Sequence, residues 1–281
     1  MVAFGMLAIS SCDKSSEDLN ENSSNTTQAH ALGAKLVDLS TYNSFQKANI
    51  DELVLKYKGR NAKNALSSSY FIPGLPTVQN QGNEGSCVAW ATAYAATSAL
   101  DYNFRGVSAP RSPEYVYNQI KQGDCSSGAS ISAGLELIRN QGVCSWNEMP
   151  YNDGDCYTMP NISQRNAAST HRFAWGTVDK TNINNVKVLL SMNLPIIVGI
   201  TIDGSFDSLN YSTGWTWRFH SGYTRGGHAV AVIGYDDAKQ AFKIQNSWGS
   251  NWGDNGYAWI DYSFFAQTYN GAFNECYVAY N

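Results

Sequence analysis

The segment Gln81-Gly82-Asn83-Glu84-Gly85-Ser86-Cys87-Val88-Ala89-Trp90-Ala91 sets a thiol, an upstream amide and two glycines at the start of a predicted helix. A thiol nucleophile with its own oxyanion site needs these groups. Ser86 has the residue type of an N-cap, and the alanine-rich run from Cys87 to Leu100, with bulky Trp90, Tyr94 and Leu100, reads as a helix packed among other elements. Cys87 then falls in the first turn, where unpaired backbone N–H groups and the helix dipole favour thiolate over thiol. A free cysteine titrates near ~8.5, so a nucleophile at neutral pH also needs a cationic partner. Gln81 lies six residues upstream across two glycines; with the loop folded back, its amide and the Cys87 N–H converge on one oxyanion. Taken alone, a cysteine at a helix start is more often a small buried residue.

Two distant segments change that balance. Gly226-Gly227-His228 runs into the apolar Ala229-Val230-Ala231-Val232-Ile233-Gly234, and Ala241-Phe242-Lys243-Ile244-Gln245-Asn246 alternates; both read as strands. Tyr235 to Gln240 supplies turn chemistry, which predicts an antiparallel hairpin. A turn about Asp237 sets Val232 opposite Phe242, Val230 opposite Ile244 and His228 opposite Asn246, unless a bulge shifts the register. An amide beside an imidazole accepts its N–H and fixes the tautomer, turning the other ring nitrogen to the thiol.

With these residues in place, the chain resembles the papain-like cysteine peptidases. The resemblance rests on Gln81-Gly82, Gly85-Ser86-Cys87 with Ala89 and Trp90, His228-Ala229-Val230, and Asn246-Ser247-Trp248-Gly249 with Trp252-Gly253 and Gly256-Tyr257, over about residues 65 to 281. It implies Cys87 as nucleophile, His228 as general base and acid, Asn246 as orienter, and Gln81 with the Cys87 N–H as oxyanion hole. Trp248 would cover the His228–Asn246 hydrogen bond beside bound substrate. Gly128 corresponds to a family glycine whose backbone pairs with substrate, although a turn glycine explains it equally well. Gly227 and Ala229 would line the pocket for the second residue before the scissile bond. Glu84 stands where the family has a cysteine, and Val88 replaces a tryptophan; neither change removes a proton-transfer or oxyanion group.

Apart from Cys87 and Cys12, four cysteines remain, Cys125, Cys144, Cys156 and Cys276, which permit three pairings. By position Cys125 and Cys156 resemble a family disulfide. No C-x-x-C or paired histidine spacing points to a metal, and the implied chemistry needs no cofactor. The start, Val2 to Ile9, is apolar but too short to span a bilayer, and Ile9-Ser10-Ser11-Cys12 resembles a bacterial lipoprotein cleavage box. Residues 1–11 are therefore expected to be a signal peptide and Cys12 the lipidated residue, with an ordinary secretory signal as the alternative. Residues 12–29, nearly all Ser, Asn, Thr, Asp and Glu, read as a disordered tether. Residues 30–69 include a predicted helix from Ile50 to Tyr57, with Gly59 able to end it, and form either a short propeptide over the cleft or a packing segment.

Residues 70–281 suffice for one catalytic unit, and the formal charge of -4 argues against a nucleic-acid partner. Ser112-Pro113-Glu114 predicts a helix start, and Ile131, Leu135 and Ile138 form an apolar helix face closed by Gly142. The second half reads as strand at Ile196 to Ile202 and Tyr257 to Ile260, with a helix around Val186 to Leu190. The expected fold is α+β: a helical lobe (about 81–165) beside a β-barrel-like lobe (about 166–281), with the cleft between them, as in papain-like enzymes. The loop from Phe206 to Tyr223 is rich in aromatics, either a substrate wall or a stabilising flap, and its His220 is a structural or pocket-lining rival to His228. The resulting expectation is a monomeric cysteine endopeptidase acting on peptides or proteins. It would be exported to the bacterial cell envelope, on the outer membrane or periplasmic side or released, and held to membrane by a lipid. The alternatives are an exopeptidase or acyltransferase with the same chemistry, or a non-catalytic lipoprotein binding peptide or glycan.

Overall fold

The computed structural model describes residues 1–2, 29–58, 66–268 and 272–281. Cys12, most of the signal-like start, most of the tether and Gly59 lie outside them. Two short helices come first, α1 (Leu39–Ser44) and α2 (Ile50–Lys58), and α2 is the helix expected from Ile50 onward, with Leu53 buried. Strand β1 (Ser69–Phe71) follows.

The central helix is less regular than its alanine content suggests. α3 (Cys87–Ala89) passes into a π-helical stretch (Trp90–Thr97) and then α4 (Ser98–Arg105), which Gly106 ends in the left-handed conformation. Thr97 donates from its hydroxyl to the Thr92 carbonyl at 2.8 Å, five residues back, and wide turns of this kind recur at functional sites. Ser86 does not cap this helix through its side chain. Its hydroxyl instead lies 2.7 Å from the Tyr151 hydroxyl, while its carbonyl accepts from the N–H groups of Ala89 and Trp90.

The other helices of this lobe follow the sequence closely. α5 (Pro113–Ile120) starts where the Ser112 hydroxyl accepts from Tyr115 N–H, and α6 (Ile131–Gln141) buries Ile131, Leu135 and Ile138 before stopping at Gly142. α7 (Ile162–Ala168) carries a capping box from Asn161 and Gln164. A buried carboxylate, Asp101, ties the lobe together, with Arg105 Nη1 at 2.7 Å and Arg111 Nε and His171 Nδ1 each at 2.8 Å. The Cys125–Cys156 disulfide joins the loop after α5 to the loop before α7, and Cys144 and Cys276 are free and buried.

The second lobe comprises β2 (Ala174–Thr177), α8 (Ile183–Leu190), β3 (Ile196–Asp203), α9 (Gly204–Asp207), β4 (Thr216–Trp217), β5 (Thr224–Asp236), β6 (Ala241–Gln245), β7 (Tyr257–Asp261), α10 (Tyr262–Ala266) and β8 (Phe273–Tyr280). The sheet order is β2-β8-β3-β5-β6-β7-β4, with β1 added on β5, so it is an open path rather than a closed barrel. All pairs are antiparallel except β4 with β7. Among the described residues no helix is long and apolar enough to cross a membrane.

The β5–β6 hairpin forms as expected, but its register is three residues from the predicted one near the tip and two beyond the bulge. Val232 pairs with Ile244, not Phe242, and Asp236 pairs with Ala241. A bulge between Val232 and Gly234 changes the register by one along the hairpin. Continued unbroken from the tip, the pairing would set Asn246 opposite Ala231 and on the face away from His228; the bulge sets it opposite Val230, on the His228 face.

Candidate active site

His228 and Asn246 meet across this hairpin. Imidazole Nε2 lies 2.7 Å from Asn246 Oδ1, and both side chains are buried. The same Oδ1 accepts the backbone N–H of Ser247 at 2.8 Å, which fixes the amide orientation and requires Nε2 to carry the hydrogen. Nδ1 of the neutral ring is thus left as the basic nitrogen, buried and without a hydrogen-bond partner. The Trp248 indole stacks on the imidazole with ring centroids 4.6 Å apart, and Phe206 and Trp252 pack edge-on or tilted behind it. These rings keep water from the His228–Asn246 bond.

Cys87 faces this histidine strand from the helical lobe. It begins α3, so its N–H is outside the helical ladder, and the backbone of Ala229 contributes a hydrogen bond to its sulfur. Gln81 is fully buried and doubly fixed: its Nε2 donates to the Glu84 carbonyl at 2.8 Å and its Oε1 accepts from the Ser247 hydroxyl at 2.6 Å. One N–H of the amide remains for another acceptor. Gly85 allows this loop to close down on the helical lobe, since a Cβ there would stand 2.6 Å from the Ser126 carbonyl oxygen. Glu84 is buried beside the Cys125–Cys156 disulfide, and its Oε1 accepts from Gly154 N–H at 3.0 Å. Both sulfurs of that cluster are committed to the disulfide.

The cleft is occupied by the chain's own N-terminal arm, which sequence reasoning did not resolve. Gly33 and Ala34 donate from their N–H groups to the Gly227 carbonyl (3.4 and 3.2 Å), Lys35 N–H donates to the Ala129 carbonyl, and Ala129 N–H donates to the Gly33 carbonyl, both at 2.9 Å. Gly128 and Gly227 make room for it: a Cβ on either would meet the Gly33 or Ala34 carbonyl oxygen at 1.9 or 2.1 Å. His30 stacks on the outer face of Trp248 at 4.6 Å, Trp248 Nε1 donates to the Ala31 carbonyl, and Arg225 holds both the His30 carbonyl and Asp207. Much of this contact runs backbone to backbone, through gaps that glycines leave in the facing segments. Neither leaves a pattern in the arm's own side chains.

Occlusion sets the charge state. Burial pushes the Cys87 thiol up to about 12, against hydrogen bonds from Ala229, Val88 and Ala34 that act to lower it. Burial likewise brings His228 down to about 4, opposed by the Asn246 hydrogen bond and reinforced by Arg225 and His30. With the arm seated, thiol and imidazole are therefore both neutral, and an imidazolium–thiolate pair belongs to the opened cleft.

The aromatic loop divides into two parts. Phe206 and Trp217 are buried and meet edge-to-face, whereas Tyr211, Phe219 and Tyr223 are exposed. His220 is held by Asp203 through Nδ1 at 2.8 Å and packs edge-on against Trp217. It buttresses the flap.

Comparison with known proteins agrees with this geometry. A family model described as papain family cysteine protease matches residues 72–279. An uncharacterized peptidase C1-like protein of Acanthamoeba polyphaga mimivirus is 30% identical over 209 residues, 69% of this chain and 67% of that protein. Ananain of Ananas comosus is 31% identical over 213 residues, 73% of this chain and 56% of ananain. The chain spans 40% of the length of a third relative, the gamete and mating-type specific protein A of Dictyostelium discoideum. In fold it is similar to xylellain, a cysteine protease from Xylella fastidiosa, with a TM-score of 0.71 at 23% identity over 90% of this chain and 96% of that one. The chain belongs to the papain family of cysteine proteases.

Proposed function

We propose that the protein is an endopeptidase in which Cys87 attacks the peptide carbonyl, His228 moves the protons, Asn246 orients the imidazole, and Gln81 with the Cys87 N–H binds the oxyanion. The observation that carries this reading is the buried, unpartnered Nδ1 of His228, left as the base by the Nε2–H bond to Asn246. In the opened cleft the thiolate adds to the carbonyl carbon and the oxyanion takes the spare Gln81 N–H. His228 then protonates the leaving amine, and water, deprotonated by the same imidazole, releases the acyl group from Cys87. Hydrolysis of internally quenched peptides by the opened enzyme, with internal cleavage products and loss of turnover in Cys87→Ala, is the expected result. Turnover surviving in Cys87→Ala contradicts it.

The seated arm supports a second element: residues 30–37 hold the enzyme closed until they are displaced. Gly128 and Gly227, expected to face substrate, face the arm's backbone instead, so arm and substrate compete for one surface. Upstream of the arm, the lipoprotein-like box supports lipidation of Cys12 and attachment to a bacterial envelope membrane. Mass spectrometry of the N-terminal peptide from membrane fractions tests this through a diacylglyceryl-modified Cys12.

A further inference from the structure

Tyr151 lies in the helical lobe, and its hydroxyl joins the two ends of the loop that leads to the nucleophile. The hydroxyl donates to the Gln81 carbonyl at 2.7 Å and lies 2.7 Å from Ser86 Oγ. A carbonyl only accepts and a tyrosine has one hydroxyl hydrogen, so Ser86 is the donor to Tyr151. Two bonds in series, Ser86 to Tyr151 to Gln81, thus connect the residue before Cys87 to the residue whose amide serves the oxyanion. The ring is fixed independently of the hydroxyl. Trp90, the first residue of the π-helical stretch, meets it edge-on at 4.8 Å between centroids, and Trp146 lies tilted against it at 6.4 Å while packing on Trp90 and Tyr94.

Among the described residues four bonds hold Gln81, and they refer it to different parts of the molecule. Its N–H donates to the Ser247 carbonyl at 2.8 Å and its Oε1 accepts from the Ser247 hydroxyl, so two of them reach the β lobe. Its Nε2 donates to the Glu84 carbonyl within the same loop. The bond from Tyr151 is the one of the four that ties Gln81 to the body of the helical lobe, which carries Cys87. The next residues on that side hold the loop further along, Asp153 accepting from Asn83 N–H at 3.0 Å and Gly154 N–H donating to Glu84. The Cys87 N–H, by contrast, is placed by the helix it opens. The separation of the two oxyanion donors therefore depends on Tyr151.

We propose that Tyr151 is a positioning residue for peptide-bond hydrolysis: its hydroxyl sets the Gln81 amide against the Cys87 N–H and so fixes the span of the oxyanion hole. Tyr151 acts through Gln81 rather than on the substrate. A displacement of about 1 Å in the groups that place the reacting atoms costs up to about 100-fold in rate. This inference rests on the catalytic reading above.

The test uses the full chain opened by limited proteolysis, with active sites counted by epoxide labelling of Cys87. Tyr151→Phe removes the hydroxyl and keeps the ring. The expected result is a kcat per active site at least about tenfold below wild type, with KM changed by less than about twofold, because the oxyanion forms only after substrate binds. Alkylation of Cys87 by iodoacetamide is substitution at a saturated carbon and forms no oxyanion, so its rate should stay within about twofold of wild type. Added to Gln81→Ala, Tyr151→Phe should lower kcat by less than about threefold, since the side chain it positions is already gone. An unchanged kcat in Tyr151→Phe, alkylation slowed in step with kcat, or an equal loss of kcat in both backgrounds overturns the assignment. Where Tyr151→Phe yields no countable sites, Ser86→Ala decides alone: it removes the donor that steadies the Tyr151 hydroxyl, and kcat should fall at least about threefold with alkylation unchanged. An unchanged kcat in Ser86→Ala, or both rates falling together, then overturns the proposal. Absence of labelled Cys87 in the opened wild type overturns the catalytic reading and this inference with it.

Discussion

Substituting Gly33 by alanine should loosen the arm without altering any residue of the catalytic domain. The Cβ would fall 1.9 Å from the Gly85 carbonyl oxygen, whereas real Cβ atoms stay beyond 3.0 Å, and the obstacle is backbone that cannot turn aside. The arm must move by more than an ångström, which strains the four backbone hydrogen bonds at Gly33, Ala34, Lys35 and Ala129. At the low end of about 0.5 kcal/mol each, their loss shifts the closed-to-open equilibrium by about 2 kcal/mol, or about 30-fold. With Cys87 held at about 12 in the closed form, only about one thiol in 10^5 is ionised at pH 7, so alkylation proceeds through opened molecules. The assay is the rate of epoxide addition to Cys87 in the full chain, followed by mass spectrometry, for wild type and Gly33→Ala. A rate about 30-fold higher in the variant is expected. Equal rates would refute the claim that the arm governs access to the thiol.

Further outcomes can be checked on the same protein. Asn246→Ala frees the His228 ring, and kcat should fall about 100-fold with KM little changed, as measured by peptide hydrolysis in the opened enzyme. Gln81→Ala removes a donor to the oxyanion and should lower kcat by a similar factor of about 10^2. Cys156→Ser opens a loop whose ends are 31 residues apart and should cost about 3.5 kcal/mol by urea titration.

Much of the site was legible because its chemistry depends on residue types in a fixed order. The α+β class, α5, α6 and the β5–β6 hairpin follow from caps, apolar spacing and turn residues that act locally. The hairpin register did not follow: a bulge at Ile233 has no side-chain signature in so uniformly apolar a run, yet it sets which face Asn246 shares. Ser86 carries the residue type of a cap but finds Tyr151, a tertiary partner 65 residues away. For a related reason the sequence leaves open whether residues 30–69 lie over the cleft or pack elsewhere. Many of the arm's contacts are backbone to backbone, and Gly128 and Gly227, which admit it, lie on the opposing segments. Trp217 and Tyr211 belong to one aromatic loop and differ only in what packs beneath them.

Epoxide labelling of the opened enzyme at pH 7, mapped by peptide mass and compared between wild type and His228→Ala, tests the pairing of Cys87 with His228 most directly. The account predicts a single adduct on Cys87 in the wild type that is lost in His228→Ala, with Cys144 and Cys276 unmodified. Equal labelling of Cys87 with and without the histidine, or no labelling of Cys87 at all, would contradict it.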